Sequence, residues 1–312
     1  MPVAAMTEII GPAQAAGRGV CAFNVIGIEH AEAIVAGAEA AGAPAVLQIS
    51  ENCAAYHGAL GPIACACLAV ARSAAVPAAV HLDHASSAEL VYAAAELGIG
   101  SVMFDASKLP YEENVLATAG IAEWCHGRGI WVEAELGEIG GKNGVHSPLA
   151  RTDPDEAARF VAATGVDALA VAVGSSHAMV TRDAVVDLGL IARIRSAVSV
   201  PLVLHGSSGV PDRDLAAAVR AGMTKINIAT QLNKVFTAAV RHYLSAEPAA
   251  VDPRRYGAAG RDAVASEIAR LLDLLGAGSI VQEEMDKSRR LAVGTDASAG
   301  GPVSREPLSA VE

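Results

Sequence analysis

Three histidines stand at or just after the ends of short apolar segments. His84 closes the segment PAAVHLDH, His177 follows VDALAVAVGSS, and His205 closes PLVLH. Three imidazoles that leave one position open for substrate are a common ligand set of catalytic zinc. A single histidine in such a place is usually a hydrogen-bonded structural residue, but three at equivalent places favour a metal site. His81 lies earlier in its segment and is interpreted as a core or supporting residue.

Three carboxylates accompany these histidines. Asp83 is adjacent to His84, and beside a divalent cation its side chain would stay ionised and could exchange a proton with a substrate hydroxyl. The alternative is that Asp83 only orients a histidine that binds the metal. Asp105 and Glu135 belong to later apolar segments, so each is a candidate for another metal position or for a supporting role.

Two turns rich in small and hydroxyl-bearing residues end the last two apolar segments. They are HGSSG (205–209) and INIAT (226–230). Backbone N–H groups and hydroxyls in such turns can hold a phosphate. An ordinary connection between a strand and a helix remains the alternative for either turn alone. Their position next to the predicted metal favours a phosphate-binding site.

Eight apolar segments alternate with helical patterns along the chain. They show little polar alternation until their ends, which is typical of strands buried on both faces of a parallel sheet. Eight successive strand–helix units predict a closed (β/α)8 barrel, an α/β fold whose catalytic groups come from the carboxyl ends of the strands. An open doubly wound sheet is the alternative. The segments are 20–25, 44–50, 77–83, 100–105, 130–136, 166–173, 201–206 and 224–229.

A single domain is predicted over residues 1–291, with additional helices at its C-terminal end. Residues 292–312 are rich in Ser, Gly and Pro, so a flexible tail is expected there. Ser87 is expected to start the helix over 87–98. The long Gly-rich segment 137–150 is interpreted as a mobile lid, with a solvated linker as the alternative.

The composition limits the partners and the compartment. The 312 residues are 52% hydrophobic and carry a formal net charge of -11, which disfavours nucleic acid and anionic lipid as partners. The five cysteines are odd in number and lack zinc-ribbon spacing, so free thiols in a reducing cytoplasm are expected. No apolar run reaches the roughly 20 residues of a membrane span, and the first residues lack a signal-peptide pattern.

Six blocks of the sequence resemble those of the class II, metal-dependent ketose-bisphosphate aldolases, and they occur in the order of that family. The resemblance extends over about residues 5 to 290 and is closest to the branch of tagatose-bisphosphate aldolase and related fructose-bisphosphate enzymes. The blocks are HLDH (81–84), SVMFDASKLPYEENV (101–115), VEAELGEIGG (132–141), LAVAVGSSH (169–177), PLVLHGSSGVP (201–211) and KINIAT (225–230).

The resemblance implies reversible aldol cleavage of a ketose phosphate or bisphosphate to dihydroxyacetone phosphate and an aldehyde. It implies a zinc ion on His84, His177 and His205, with Asp83 as the proton donor to the aldehyde oxygen. It also implies a homodimer or homotetramer and a monovalent cation, Na⁺ or K⁺, near the phosphate. The implied substrate- and phosphate-binding residues are Ser50, Ala178, Gly206, Ser207, Ser208, Asn227, Ile228, Ala229 and Thr230.

Three positions depart from the pattern of that family. Asn143 stands where the lid normally carries a glutamate that moves the carbon-bound proton, and an amide cannot do so; Glu138 or His146 is a candidate substitute. Ala178 replaces a glycine after the predicted metal ligand, and Gln231 replaces an acidic residue. These departures leave a non-catalytic phospho-sugar binder, or a paralogue of altered chemistry, as an alternative.

A different aldolase mechanism is the remaining alternative. Lys225 lies on the predicted eighth strand and could form an imine with a ketose. This interpretation is disfavoured because it gives the three histidines no role.

Overall fold

Eight parallel strands form a closed barrel in the computed structural model, which describes residues 3–136, 151–176 and 179–276. Each strand pairs with the next along the chain, and the last pairs with the first. The predicted (β/α)8 barrel is therefore confirmed, and the open sheet is wrong. The strands are β1 (Val20–Asn24), β2 (Ala45–Ser50), β3 (Ala78–Ala85), β4 (Ser101–Phe104), β5 (Trp131–Leu136), β6 (Ala168–Val171), β7 (Leu202–Leu204) and β8 (Met223–Ile228).

Helices alternate with the strands and cover the outside of the barrel, except for the first one, which precedes β1 and packs against one end of the interior. They are α1 (Met6–Ala16), α2 (Ile28–Ala41), α3 (Glu51–Tyr56), α4 (Leu60–Ser73), α5 (Ala88–Glu96), α6 (Tyr111–His126), α7 (Pro154–Thr164), α8 (Leu188–Ala197), α9 (Asp212–Ala221), α10 (Thr230–Ala246) and α11 (Pro253–Leu274), with a 3-10 turn η1 (Ser207–Gly209) after β7. Ser87 caps α5 as predicted, because its hydroxyl accepts from the N–H of Leu90 at 3.3 Å.

The two C-terminal helices complete the outer layer, since α11 packs against both α2 and α10. The close approach of α2 to α11 depends on a glycine, Gly37, at their contact. A Cβ added to Gly37 would lie 2.5 Å from the carbonyl oxygen of Ala265, so only glycine fits there without movement.

The amino-terminal half of the barrel interior is apolar and is closed by α1. Met6, Ile9 and Ile10 of that helix are at most 2% exposed and pack against inward-facing side chains of the strands. The other residues of this cluster, on the strands or directly after β6, are Val20, Ala22, Val46, Ala79, Met103, Trp131, Ala168, Ala170, Ala172 and Val203. The sequence analysis did not predict this helix.

The carboxyl-terminal half of the interior is polar. Inward positions recur every second residue along a strand, so one strand can carry an apolar residue at one end and polar residues at the other. On β5 the inward series runs from Trp131 through Glu133 to Glu135, and on β8 it includes Lys225 and Asn227. The fold thus directs ionisable groups to the end where the strands lead into the connecting loops.

Several predictions fall on residues outside the described ranges. These are the lid over 137–150, the tail over 292–312 and the residues His177, Ala178, Asn143, Glu138 and His146. Within the described ranges, no helix combines the length and the apolar character that crossing a bilayer requires.

Candidate active site

A cavity of about 510 Å³ lies at the carboxyl ends of the strands. At this end of a barrel, the loops that follow the strands carry the catalytic groups. Most of the predicted site residues therefore share one surface. Those on the wall of the cavity are Ser50, Asp83, His84, Asp105, His205, Gly206, Ser208, Asn227, Ala229 and Thr230.

His84 reaches the cavity through an irregularity at the end of β3. Adjacent residues of a strand normally point to opposite faces, yet Asp83 and His84 both line the cavity. His84 has a φ of 55°, a positive value that no other non-glycine residue of the described chain has. The pairing of β3 with β4 also shifts register between Leu82 and Ala85. Such a backbone costs on the order of 1–3 kcal/mol and is typical of functional sites.

Two carboxylates hold the imidazoles of His84 and His205. Nδ1 of His84 lies 2.8 Å from Oδ2 of Asp105, and the hydroxyl of Ser107 donates to Oδ1 of the same aspartate at 2.6 Å. Nε2 of His205 lies 3.0 Å from Oε1 of Glu133, which is fully buried. Because an ionised carboxylate only accepts hydrogen bonds, these two ring nitrogens are assigned the protons. The same arrangement fixes the tautomer of histidines that bind metals.

The other two ring nitrogens converge on each other. Nε2 of His84 and Nδ1 of His205 are 2.9 Å apart, and with protons on the outer nitrogens both present lone pairs. Asp83 adds a carboxylate, with Oδ2 at 3.9 Å from Nε2 of His84 and a buried Oδ1 that has no hydrogen-bond partner among the described residues. Facing lone pairs repel each other, and a divalent cation held by both imidazoles would remove that repulsion. The donor set is one that zinc accepts, so these residues fit a metal.

The charge states of Asp83 and His205 suit these positions. Burial acts to raise the pKa of Asp83, but the nearby His84, His205 and Lys225 hold that pKa below its ordinary value. Burial lowers the pKa of His205, against an opposing effect of its hydrogen bond to Glu133. At neutral pH the aspartate is therefore ionised and able to accept a proton, and the imidazole is neutral and able to bind a cation.

A buried lysine supports Glu133 from below. Nζ of Lys225 pairs with Oε2 of Glu133 at 2.8 Å and donates to the side-chain oxygens of Gln48 at 3.0 Å and Asn227 at 2.9 Å. Burial acts to raise the pKa of Glu133, but Lys225 holds it well below its ordinary value. Lys225 is fully buried and absent from the cavity wall, so it has no access to a ketose for imine formation.

Glu133 and the supporting role of Lys225 were not predicted from the sequence, although a signal was present. Glu133 lies two residues before Glu135, and Lys225 lies two residues before Asn227. The two-residue period of a strand places both members of each pair on the same face. A charged residue on the inner face of a barrel strand needs a partner there, so the sequence marks Glu133 and Lys225 as inward charges in need of partners, without showing that they pair with each other.

Two other candidates lie behind the cavity wall. Glu135 is 1% exposed, and its Oε2 is 3.9 Å from Nδ1 of His84. His81 is fully buried, with Nδ1 at 2.7 Å from the hydroxyl of Ser101, and burial lowers its pKa to about 3. A neutral, hydrogen-bonded His81 agrees with the supporting role predicted for it.

The turns after β7 and β8 meet in a small cradle. Gly206 has a φ of 67°, and an added Cβ would lie 2.5 Å from the carbonyl group of Ser176, so the position requires glycine. The hydroxyl oxygen of Ser208 accepts from the backbone N–H groups of Ala229 at 3.4 Å and Gln231 at 3.2 Å. Amides that converge on one oxygen at the start of a helix form a site that can also bind a phosphate oxygen.

Some residues predicted to bind phosphate have other contacts. Ser207 is 1% exposed and its hydroxyl donates to the carbonyl of Asn227, while Ile228 is 2% exposed; neither lines the cavity. Ser207 and Ile228 thus support the cradle from behind. Ser50 lines the cavity at the end of β2, where its hydroxyl accepts from the N–H of Cys53 at 3.2 Å and caps α3.

The barrel, the paired donors and the cradle fit an enzyme that binds a metal ion and a phosphorylated small molecule, and comparison with known proteins gives the family of the chain. The sequence model of one family, fructose-bisphosphate aldolase class-II, matches residues 4–279. The chain belongs to the class II fructose-bisphosphate aldolase family, whose members are generally metal-dependent, and it is an aldolase, a carbon–carbon lyase.

Individual relatives agree with this assignment. A fructose-bisphosphate aldolase from Geobacillus stearothermophilus is 37% identical over 287 residues, which cover 90% of this chain and all of the relative. The crystal structure of the YdjI aldolase from Escherichia coli K12 is similar, with a TM-score of 0.79, 32% identity and coverage of 88% of this chain and 98% of that one. The fructose-bisphosphate aldolase from Campylobacter jejuni, at 21% identity, TM-score 0.75 and coverage of 88% and 96%, shares the fold.

Proposed function

We propose that this aldolase reversibly cleaves a ketose phosphate or bisphosphate, of the fructose- or tagatose-bisphosphate type, to dihydroxyacetone phosphate and an aldehyde. The proposed ion is zinc, held by His84, His205 and His177. The observation that carries the proposal is the 2.9 Å convergence of Nε2 of His84 and Nδ1 of His205 beside Asp83, on the cavity that also contains the cradle. The name of the relative from Geobacillus stearothermophilus supports the same substrate class.

Asp83 is proposed to move the proton of the reaction. When bound, the ion supplies a Lewis acid that stabilises negative charge on the ketose oxygens as the carbon–carbon bond breaks. Asp83 accepts the proton of a substrate hydroxyl during cleavage and returns it to the aldehyde oxygen in the aldol direction. The lowered pKa of Asp83 keeps it in the basic form at neutral pH. Asp105 and Glu133 keep the rings of His84 and His205 oriented throughout.

The cradle is proposed to bind the phosphate of the dihydroxyacetone half. Gly206, Ser208, Ala229 and Thr230 would contact it, and the hydroxyl of Ser207 would support them by donating to the carbonyl of Asn227. The main chain of Asn227 and Ile228 would complete this support. The first N–H groups of α10 point to this place, and the start of a helix stabilises negative charge. A phosphate fixed there would hold the carbonyl of the ketose near the imidazoles, which lowers the entropic part of the barrier.

The resemblance of the sequence blocks supports several finer parts of this proposal. They are contacts of Ser50 and Ala178 with the substrate, a Na⁺ or K⁺ ion beside the phosphate, and a homodimer or homotetramer. A cytoplasmic location is proposed from the odd number of cysteines without zinc-ribbon spacing. Light scattering on the purified protein tests the oligomer, and activity in buffers that differ only in the monovalent cation tests the second ion.

Activity with and without metal tests the proposal. Chelation should abolish cleavage in a coupled assay over a panel of ketose phosphates, and zinc should restore it; full activity after chelation would overturn the metal assignment. Asp83→Asn should lower kcat by about 10²–10⁴-fold when it is assayed in its zinc-saturated form. Asp155→Asn, at an exposed position of α7, is the matched control.

The same panel distinguishes the alternative of a phospho-sugar-binding protein. Calorimetric binding of fructose 1,6-bisphosphate without turnover of any ketose phosphate would favour that alternative. Asn143→Glu is the informative companion, because a large rise in rate would show that the carbon-bound proton limits the native enzyme.

A further inference from the structure

Lys108 lies across the cavity from the phosphate cradle. It follows β4, whereas the cradle follows β7 and β8, and in a closed barrel of eight strands β4 lies four strands away from β8. Asp83 and His84, at the end of β3, lie on the same wall. A substrate with one phosphate in the cradle and its reacting carbon at Asp83 therefore extends its other half towards the turns after β2, β3 and β4.

The lysine Lys108 stands among carboxylates in this part of the cavity wall. These carboxylates are Glu51 after β2, Asp83 on β3 and Asp105 after β4. Among the described residues that line the cavity, Lys108 is the only lysine, and there is no arginine. Without Lys108, the surroundings of the aldehyde half would repel a negatively charged substrate group.

The neighbouring carboxylates are committed to other contacts. The two oxygens of Glu51 accept from the N–H of Ser86 at 2.8 Å and from its hydroxyl at 3.0 Å, while Asp105 accepts from His84 and Ser107. Lys108 forms no ion pair with any residue in the described ranges, and its side chain is exposed. The ammonium group is therefore available to a ligand in the cavity.

We propose that Lys108 is a specificity-determining residue that pairs with a phosphate on the aldehyde half of the substrate. The inference rests on the proposed function, because it assumes that the dihydroxyacetone phosphate half occupies the cradle. A lysine binds phosphate as a point charge without demanding a particular geometry, which suits an exposed turn. Lys108 thus makes the enzyme prefer a ketose that carries phosphate at both ends.

The test compares two substrates that differ only in the distal phosphate. Cleavage of fructose 1,6-bisphosphate and of fructose 1-phosphate is measured with the zinc-loaded full chain and its Lys108→Met and Lys108→Arg variants. Arg159→Met removes one positive charge from an exposed position of α7 and is the control for net charge. Because Lys108 lies in an exposed turn, the variants should fold, which their unfolding midpoints verify.

Loss of the Lys108 charge should affect cleavage of the bisphosphate and not of the monophosphate. For Lys108→Met, kcat/KM for the bisphosphate is expected to fall by about 10–100-fold, mainly through KM, while the value for the monophosphate stays within about threefold. Lys108→Arg should retain most of the activity, and Arg159→Met should match the wild type. Equal losses for both substrates, or no loss for either, would overturn the role of Lys108.

Calorimetric binding of the same two sugars separates this inference from the proposed function. If the wild type cleaves no ketose phosphate of the panel but binds the bisphosphate more tightly than the monophosphate, and Lys108→Met removes that preference, then Lys108 keeps its role and the proposed reaction is wrong. If the wild type does not prefer the bisphosphate in cleavage or in binding, the role of Lys108 is wrong whatever reaction is catalysed.

Discussion

Replacing Glu133 with glutamine keeps the shape of the side chain and removes its charge, so it tests the support beneath the active site. Glu133 is fully buried, with Nζ of Lys225 at 2.8 Å and Nε2 of His205 at 3.0 Å. At an effective dielectric constant of about 20, a pair 2.8 Å apart has a Coulomb attraction of about 6 kcal/mol. In Glu133→Gln the buried ammonium group of Lys225 loses its counter-charge. The free energy of unfolding is therefore expected to fall by about 3–5 kcal/mol.

The same substitution should weaken metal binding. A glutamine amide can still accept from His205, but it loses the charge that strengthens this bond and can also turn its NH₂ group towards the ring. The affinity for zinc is therefore expected to fall by about 10–100-fold. Urea unfolding of the metal-free protein gives the stability, and competition with a chromophoric chelator gives the affinity. Both measurements are independent of turnover.

Two further variants separate the effect on stability from the effect on metal affinity. Glu133→Gln combined with Lys225→Met removes both charges, so it should recover stability relative to the single variant without recovering the metal affinity. Glu123→Gln, on the exposed side of α6, is the control for losing a negative charge. If Glu133→Gln changed the stability by less than about 0.5 kcal/mol, as a surface substitution does, and left the affinity for zinc unchanged, the buried pair would neither stabilise the barrel nor orient His205.

Two other substitutions test the cradle and the surface. Gly206→Ala introduces a Cβ 2.5 Å from the backbone of Ser176, so the loop must move. The value of kcat/KM should then fall by about 10²-fold. Gly120→Ala, in open space on α6, is the control and should keep full activity. Asp212 pairs with Arg182 and Arg270, and although burial acts to raise its pKa, these partners hold that pKa below its ordinary value. The stabilisation from ionised Asp212 is therefore present above the unfolded-state pKa of about 3.9 and is lost as the pH falls through the lower folded-state value. Asp212→Asn should cost about 0.5–1 kcal/mol in urea unfolding at pH 7 and progressively less below pH 4, whereas a difference that stays constant with pH would contradict this origin.

The barrel could be predicted because its strands have a strong local signal. Each of the eight apolar segments overlaps one strand, and buried parallel strands need no long-range information to be recognised. Helix α1 was missed because Gly11 and Pro12 interrupt its helical pattern, and its apolar face becomes meaningful only against the interior of a closed barrel. The place of α1 at the end of the barrel depends on how the eight strands close, and the sequence of α1 alone does not contain that information.

Site residues could be predicted where a histidine or a carboxylate falls at the end of a predicted strand. Asp83, His84 and His205 could be selected in this way, and all three line the cavity. The backbone of His84 could not be predicted, because a positive φ in a non-glycine residue is imposed by surrounding contacts. The pairing of Glu133 with Lys225 joins β5 to β8 across the interior, so it depends on distances that the order of residues does not contain.

The apolar packing of α1 against the lower strands also has a consequence for hydration. Within the described chain, α1 closes the amino-terminal end of the interior, so water can approach the layer of Glu133 and Lys225 only through the cavity at the other end. A bound substrate then separates this layer from bulk solvent. With less water to screen them, the buried charges act more strongly on His205. The restraint on that imidazole is therefore expected to be tightest while a substrate is bound and to relax when the products leave.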